Sequence, residues 1–148
     1  YGQWLGTPMD SDDTDALLTS EGYGVLSLAQ DDVPYSLLIS FGYDGDRFYF
    51  ALLADDPTGG AKFDFVEQGN VARLLVTNIQ ARFDWQSVAV TGALRRVTEG
   101  SNEWEALLDT LADNGWFSRG FERADSIEGI QGWELEPDEI RGIEVKER

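Results

Sequence analysis

The chain has 148 residues, enough for one domain with a core of its own and too few for two. Twenty-eight Asp and Glu stand against 11 Lys and Arg, a formal net charge of −17, and there is no histidine and no cysteine. That composition excludes disulfides, thiolate nucleophiles, Cys/His zinc sites, haem-type ligation through His or Cys and any Ser-His-Asp triad, and it provides no basic stripe for nucleic acid or an anionic membrane.

With 42% hydrophobic and 12% aromatic residues the chain can still bury a core. The acids are spread along its whole length instead of forming a tail, which suits a self-repelling, salt-adapted surface. No cleavable leader pattern and no long apolar run is present, so a soluble cytoplasmic protein is expected.

The first predicted element is a short helix over residues 10–21, with Asp in its first turn where the helix dipole favours negative charge. Gly22 and Gly24 end it. Three strand signals follow: GVLSLAQ (24–30), PYSLLISFGY (34–43) and DRFYFALL (46–53), separated by turns at Asp31-Asp32 and Asp44-Gly45. Asp-Gly between aromatic-rich runs is a hairpin signal, and the three strands are expected to form an antiparallel meander.

GGAKFDFVEQG (59–69) reads as a short helix between glycine stops, and VARLLVTNI (71–79) and WQSVAVTGALRRVT (85–98) read as strands. In the second of these Val88 and Val90 alternate with Ala89 and Thr91, and Gly92 permits a bend or bulge. Asn102 is the expected cap of a further helix, with Glu105 three residues on and Trp104, Leu107, Leu108 and Leu111 on one face. Asn114-Gly115 stops it. GIQGWELE (129–136) and RGIEVKE (141–147) supply two last strands joined through Pro137-Asp138. This series of strands with few helices points to a small closed or split barrel and not to a βαβ sheet.

The most informative loop is DDPTGGAKFDF, residues 55–65, which holds Lys62, one of only two lysines. Two glycines entering a helix let backbone N–H groups converge on an anion, and Lys62 in the first turn adds a cation. Read from the residues alone, the loop is either a phosphate cradle or a solvated surface loop, since it matches neither the triphosphate nor the dinucleotide glycine pattern. Asp10, Asp12, Thr14 and Glu21 fit a calcium-loop spacing in part, but Asp15 stands where that loop needs glycine, and an acidic helix start accounts for the run. Glu134 and Glu136 read as a solvated strand face.

The succession GVLSLAQDDVPYSLLISFGYDGDRFYFALL, a glycine-containing loop with a lysine, NVARLLVTN and WQSVAVTGALRRV resembles the FMN-binding split-barrel family related to pyridoxamine 5'-phosphate oxidase, and within it the short, nitroimidazole-resistance-like branch. The resemblance covers most of residues 15–112 and rests on the order of several segments. It implies a mainly β fold: a single domain, 1–148, built as an antiparallel Greek-key split β-barrel of about six to seven strands with two to four short helices.

It also implies an FMN cofactor in the groove of a homodimer, with a small molecule as substrate. Leu37, Leu38, Ile39 and Ser40 would contact the isoalloxazine and ribityl groups, Leu52 would lie near the cofactor, Lys62 would meet the phosphate, and Gln86 and Ser87 would reach the ring or phosphate side. Leu37 and Leu38 replace the arginine or proline often found in that strand, and the arginine- and histidine-bearing C-terminal segment of the true oxidases has no counterpart. The expected activity is therefore an FMN-dependent oxidoreductase other than a vitamin B6 oxidase, with no catalytic side chain identified. Two alternatives stand beside it: a flavin-binding or regulatory dimer without turnover, and a deazaflavin-dependent reductase whose anionic tail would need Arg47, Arg73, Arg82, Arg95 and Arg96.

Overall fold

The computed structural model describes residues 6–53, 70–112, 114 and 130–146. The expected helix at 59–69, with Lys62 within it, lies outside the described residues. The elements are β1 (Thr7–Pro8), α1 (Ser11–Ser20), β2 (Tyr23–Gln30), β3 (Val33–Ser40), β4 (Gly42–Tyr43), β5 (Phe48–Leu53), β6 (Val71–Ala81), β7 (Asp84–Val97), α2 (Asn102–Ala112) and β8 (Ile130–Val145).

Asp10 caps α1, its Oδ1 accepting from the Asp13 N–H at 2.7 Å, and Asp12 and Asp13 occupy the first turn. Leu17 and Leu18 carry the helix into the core. Between β2 and β3 the chain reverses through Asp31 and Asp32, both left-handed with φ of 50° and 65°. This is the two-residue turn whose twist matches the flanking strands, and aspartate tolerates it better than most residues.

The expected meander stops after two strands. β5 does not lie beside β3; it pairs with β8, Phe48 opposite Leu135 and Phe50 opposite Trp133, and with the short β4. The reason is that β5 is apolar on both faces. Phe48 and Phe50 enter the barrel core while Tyr49 packs with Val97, Trp104, Leu107 and Leu111 beneath α2. A strand of that kind needs cover on each side.

The sheet runs β3-β2-β6-β7-β8-β5-β4, with β1 added to β8, giving eight strands where six or seven were expected. Its first and last members, β3 and β4, are consecutive in the chain, with only Phe41 between them. That connection obliges the sheet to curl into an antiparallel split barrel that is not hydrogen-bonded shut. Leu26, Phe48, Val76, Val88, Val90, Leu94 and Leu135 fill it, all fully buried.

The last two expected strands are one. β8 continues through Pro137, and the register with β7 shifts between Thr91, opposite Glu139, and Gly92, opposite Pro137, leaving Asp138 as the extra residue of a bulge. A proline inside a central strand is accommodated at such a bulge. Gly92 makes it possible, because a Cβ there would collide with the Glu136 carbonyl oxygen and the Pro137 Cα.

The second helix is capped one residue earlier than expected: Ser101 Oγ, and not Asn102, accepts from the Trp104 N–H at 3.2 Å. After it the buried Asn114 donates through Nδ2 to the Gly22 and Phe41 carbonyls at 2.6 and 2.7 Å, tying α2 to the start of β2 and the β3–β4 corner.

Gly92→Ala is expected to destabilise the protein by about 1–3 kcal/mol through backbone overlap at the bulge. Guanidinium unfolding in high salt checks this, and an unchanged midpoint would show that β8 can move away at little cost.

Candidate functional site on the outer face of the sheet

Strand alternation gives the barrel wall an outer face as well as a core face. Between Trp85 and Arg95 the outward residues of β7 are small, Ser87, Ala89, Thr91 and Ala93, and on β6 they are Val71, Arg73, Leu75, Thr77 and Ile79. Register aligns them into cross-strand rows. One row is apolar, Leu38–Val25–Leu75–Ala89, and ends at Arg141 on β8. The row beside it is polar: Ser36–Ser27–Arg73–Thr91–Glu139. A third joins Thr77, Ser87 and Ile143.

Among the described residues nothing covers this face. Leu38 and Ile79 are each 71% exposed, and Leu75, Ile143 and Phe83 are exposed as well. Contiguous exposed apolar side chains rimmed by polar ones mark a binding surface.

The structure divides the residues expected to bind a cofactor. Leu38, Ser40 and Ser87 stand on the outer face, Leu38 and Ser87 separated by the width of β2 and β6. Ile39 and Leu52 are core residues, 7% and 4% exposed, and Leu37 packs against that core from its edge. Their side chains are committed to packing, which leaves only their backbone for a ligand. Gln86 lies at the end of the ladder, where its Nε2 donates to Glu144 Oε2 at 3.0 Å. Lys62 lies outside the described residues.

The arginines do not converge on a common groove. Arg47 and Arg95 both reach the buried Glu134, at 3.4 and 3.5 Å, and Glu134 in turn holds the Arg47 guanidinium above its ordinary pKa. Glu134 is thus a buried ion-pair centre, where a solvated strand face was expected. Arg96 lies over the Trp133 ring and Arg82 over Phe83. Arg73 lies flat on the outer face, its Nε donating to Thr91 Oγ1 at 3.1 Å. Among the described residues it has no ion-pair partner. Alternation marks Arg73 as outward-facing, but its neighbours Thr91 and Glu139 come from distant segments, so sequence spacing does not reveal the row.

Two tyrosines have phenols shifted well away from their ordinary value. Burial first, then the 2.9 Å hydrogen bond to Asp15, pushes the Tyr43 phenol up to about 12. Burial first, then Asp44, pushes Tyr49 up to about 12 as well. Both stay neutral donors at physiological pH.

A family model described as pyridoxamine 5'-phosphate oxidase matches residues 10–144, nearly the whole chain. The chain belongs to the pyridoxamine 5'-phosphate oxidase family. No curated protein matches it. Among solved structures that resemble this family member is an FAD-binding protein from Mesorhizobium loti, with a TM-score of 0.75 at 15% identity over 96% of this chain and 99% of that one. An FAD-binding protein from Mycobacterium smegmatis gives 0.69 at 17% identity over 96% and 100%. An FAD- and haem-binding protein from the same organism gives 0.68 at 19% identity over 93% and 72%. At such identities the likeness establishes the split-barrel fold and nothing finer.

The two shifted tyrosines make a pH prediction. A phenol whose pKa is raised on folding contributes stability that is intact below the unfolded value of about 10 and is lost as pH climbs through the folded value of about 12. Stability should hold to near pH 10 and fall between pH 10 and 12, less steeply in Tyr43→Phe and Tyr49→Phe. Phenolate absorbance tests it: all 5 tyrosines ionising together near pH 10 would contradict the shifts.

Proposed function

We propose that this chain binds a flavin, FMN, in a cleft that the outer face of the sheet forms with a second copy of itself, and that it passes electrons through that flavin to or from a small molecule. The observation that carries the reading is the uncovered apolar face itself, with Leu38 and Leu75 exposed and the hydroxyls of Ser40 and Ser87 at its border. A flat ring system with an apolar body and a hydrogen-bonding edge fits such a surface. Family membership supports the choice, as do the FAD-binding relatives of the same fold.

FMN, with its short phosphate tail, suits the single lysine-bearing glycine loop at 55–65; FAD is the competing ligand, because three of the similar structures are of proteins that bind FAD. Haem held as in most haem proteins is disfavoured, since the sequence has no histidine or cysteine for an axial bond. A deazaflavin with a long anionic tail is disfavoured by the scattering of the arginines and by the capture of Arg47 and Arg95 on Glu134.

When bound, the flavin supplies hydride and single-electron chemistry, and the protein supplies position, electrostatics and exclusion of water. Leu37 and Leu38, standing where the family's strand often carries arginine or proline, favour a second reading, a flavin holder without turnover. Reduction of the bound flavin by a nicotinamide donor separates the two: reduction followed by reoxidation with an acceptor supports the oxidoreductase, and a bound flavin that no donor reduces supports the holder.

Titration of the protein in high salt with FMN, FAD and riboflavin tests the cofactor. FMN is expected to bind stoichiometrically with the chain and to be the tightest of the three. Lys62→Ala should weaken FMN by about 1.5–3 kcal/mol, the value of a charge-assisted phosphate contact, and leave riboflavin unaffected. A protein that takes up none of the three flavins would end the flavin reading.

The same proposal includes a salt-adapted cytoplasm. At −17 the surface repels itself, and among the described residues few acids have a cation in reach. Thermal stability should rise between roughly 0.1 and 1 M KCl, as the Debye length falls from about 10 to about 3 Å. A midpoint independent of salt would remove halophilic adaptation from the account.

A further inference from the structure

Arg73 and Arg141 both face outward from the wall, on the strands to either side of β7, Arg73 opposite Thr91 and Arg141 opposite Ala89. On the diagonal they stand two strands, about 9.6 Å, and one row, about 6.8 Å, apart. Ala89 and Thr91 between them are small, so no bulk on β7 keeps the two side chains from converging. Arg73 already turns that way, its Nε donating to Thr91 Oγ1 at 3.1 Å.

Both arginines are exposed, and neither makes an ion pair among the described residues. The chain offers 28 acids to 11 cations, and Arg47, Arg95 and Lys146 all find carboxylates. In the two rows that hold Arg73 and Arg141 the acidic residue is Glu139, so these rows carry two positive charges and one negative. A ligand lying on the wall takes these groups out of water, and a guanidinium so covered without a counter-charge is strongly unfavourable. One more negative charge balances the set.

We infer that Arg73 and Arg141 together bind the carboxylate of a small monocarboxylic acid. The assignment rests on the flavin reading above and names the class of small molecule that shares the wall with the flavin. A guanidinium meets a carboxylate through two parallel N–H donors, a match in plane and spacing that suits a planar anion. A phosphate dianion would exceed the one missing charge and face Glu139 at close range. The cofactor's own phosphate is taken, on that reading, by Lys62. A carboxylate held over Ala89 and Thr91 leaves the remainder of its molecule beside the apolar row of Leu38, Val25 and Leu75, where the ring is proposed to lie.

Calorimetry at a fixed KCl concentration tests this with benzoate, its neutral analogue benzamide and inorganic phosphate as probes, on the flavin-loaded and the flavin-free chain. Benzoate should bind about tenfold tighter than benzamide, and tighter than phosphate. Arg73→Gln and Arg141→Gln should each weaken benzoate about tenfold and leave benzamide unchanged. Glu139→Gln, which raises the positive surplus, should move the preference toward phosphate. All three positions are exposed, so the variants should keep the native circular dichroism. In an isotope-labelled chain the Nε–H magnetic resonance signals of Arg73 and Arg141 should shift with benzoate. Equal binding of benzoate and benzamide, a preference for phosphate in the unaltered chain, or glutamine variants that weaken FMN against riboflavin but spare benzoate would each overturn the inference and leave the flavin reading standing. A chain that takes up no flavin, while benzoate still shifts both arginine signals, ends the flavin reading and keeps the carboxylate site. A chain that takes up neither flavin nor benzoate overturns both.

Discussion

Both faces of the barrel are organised by the ladder between β7 and β8, which runs from Trp85 opposite Val145 to Val97 opposite Gly132 and passes a proline without breaking. Gly92 has no side chain to hold β8 away, so the bulge at Asp138 keeps inward residues inward on each side of it. Val88, Val90 and Leu94 stay in the core, and Ala89, Thr91 and Ala93 stay on the outer wall. A one-residue slip without the bulge would turn half of β8 inside out.

The distribution of charge follows from the same ladder. Leu94 opposite Leu135 lies within the barrel, which sends the neighbouring pair, Arg95 and Glu134, to the other side, where α2 covers part of the wall. Glu134 is buried there and held by Arg47 from the β4–β5 turn as well as by Arg95. Removing either cation would leave a carboxylate poorly compensated. These contacts take two of the few cations away from any ligand and leave Arg73 and Arg141 facing outward from the open wall.

A sheet whose outer wall mixes exposed leucine and isoleucine with a line of hydroxyls and the guanidiniums of Arg73 and Arg141 is unusual for a surface that only meets water. Membership of the pyridoxamine 5'-phosphate oxidase family and the flavin reading give that wall a purpose. Under the flavin reading the apolar rows are where a planar ring would lie, with the hydroxyls of Ser40 and Ser87 at their border. The neutral tyrosines lie at the β4–β5 end and supply hydrogen bonds to Asp15 and Asp44, not proton transfer.

Much of this was legible from local pattern. The alternation of Val88, Ala89, Val90 and Thr91 assigned each residue to a face, Asp31-Asp32 marked a tight turn, and the leucine stripe from Trp104 to Leu111 identified the packed side of α2. Those features depend on residues close in sequence, whose spacing alone decides which side they share. Leu37, Leu38, Ile39 and Ser40 illustrate where local reading stops: treated as one binding strip, they alternate between core and surface.

The sequence by itself determined the two helices α1 and α2, the strands β2, β3, β5, β6 and β7, and the absence of thiol and imidazole chemistry. Only the tertiary structure decided that β5 pairs with β8, that Pro137 sits inside one continuous strand, that Glu134 is buried between arginines, and that Arg73 shares a row with Glu139. The physical reason is that strand partners and register are fixed by contacts between residues far apart in the chain, where many pairings satisfy the same alternation and the collective packing of the core selects one.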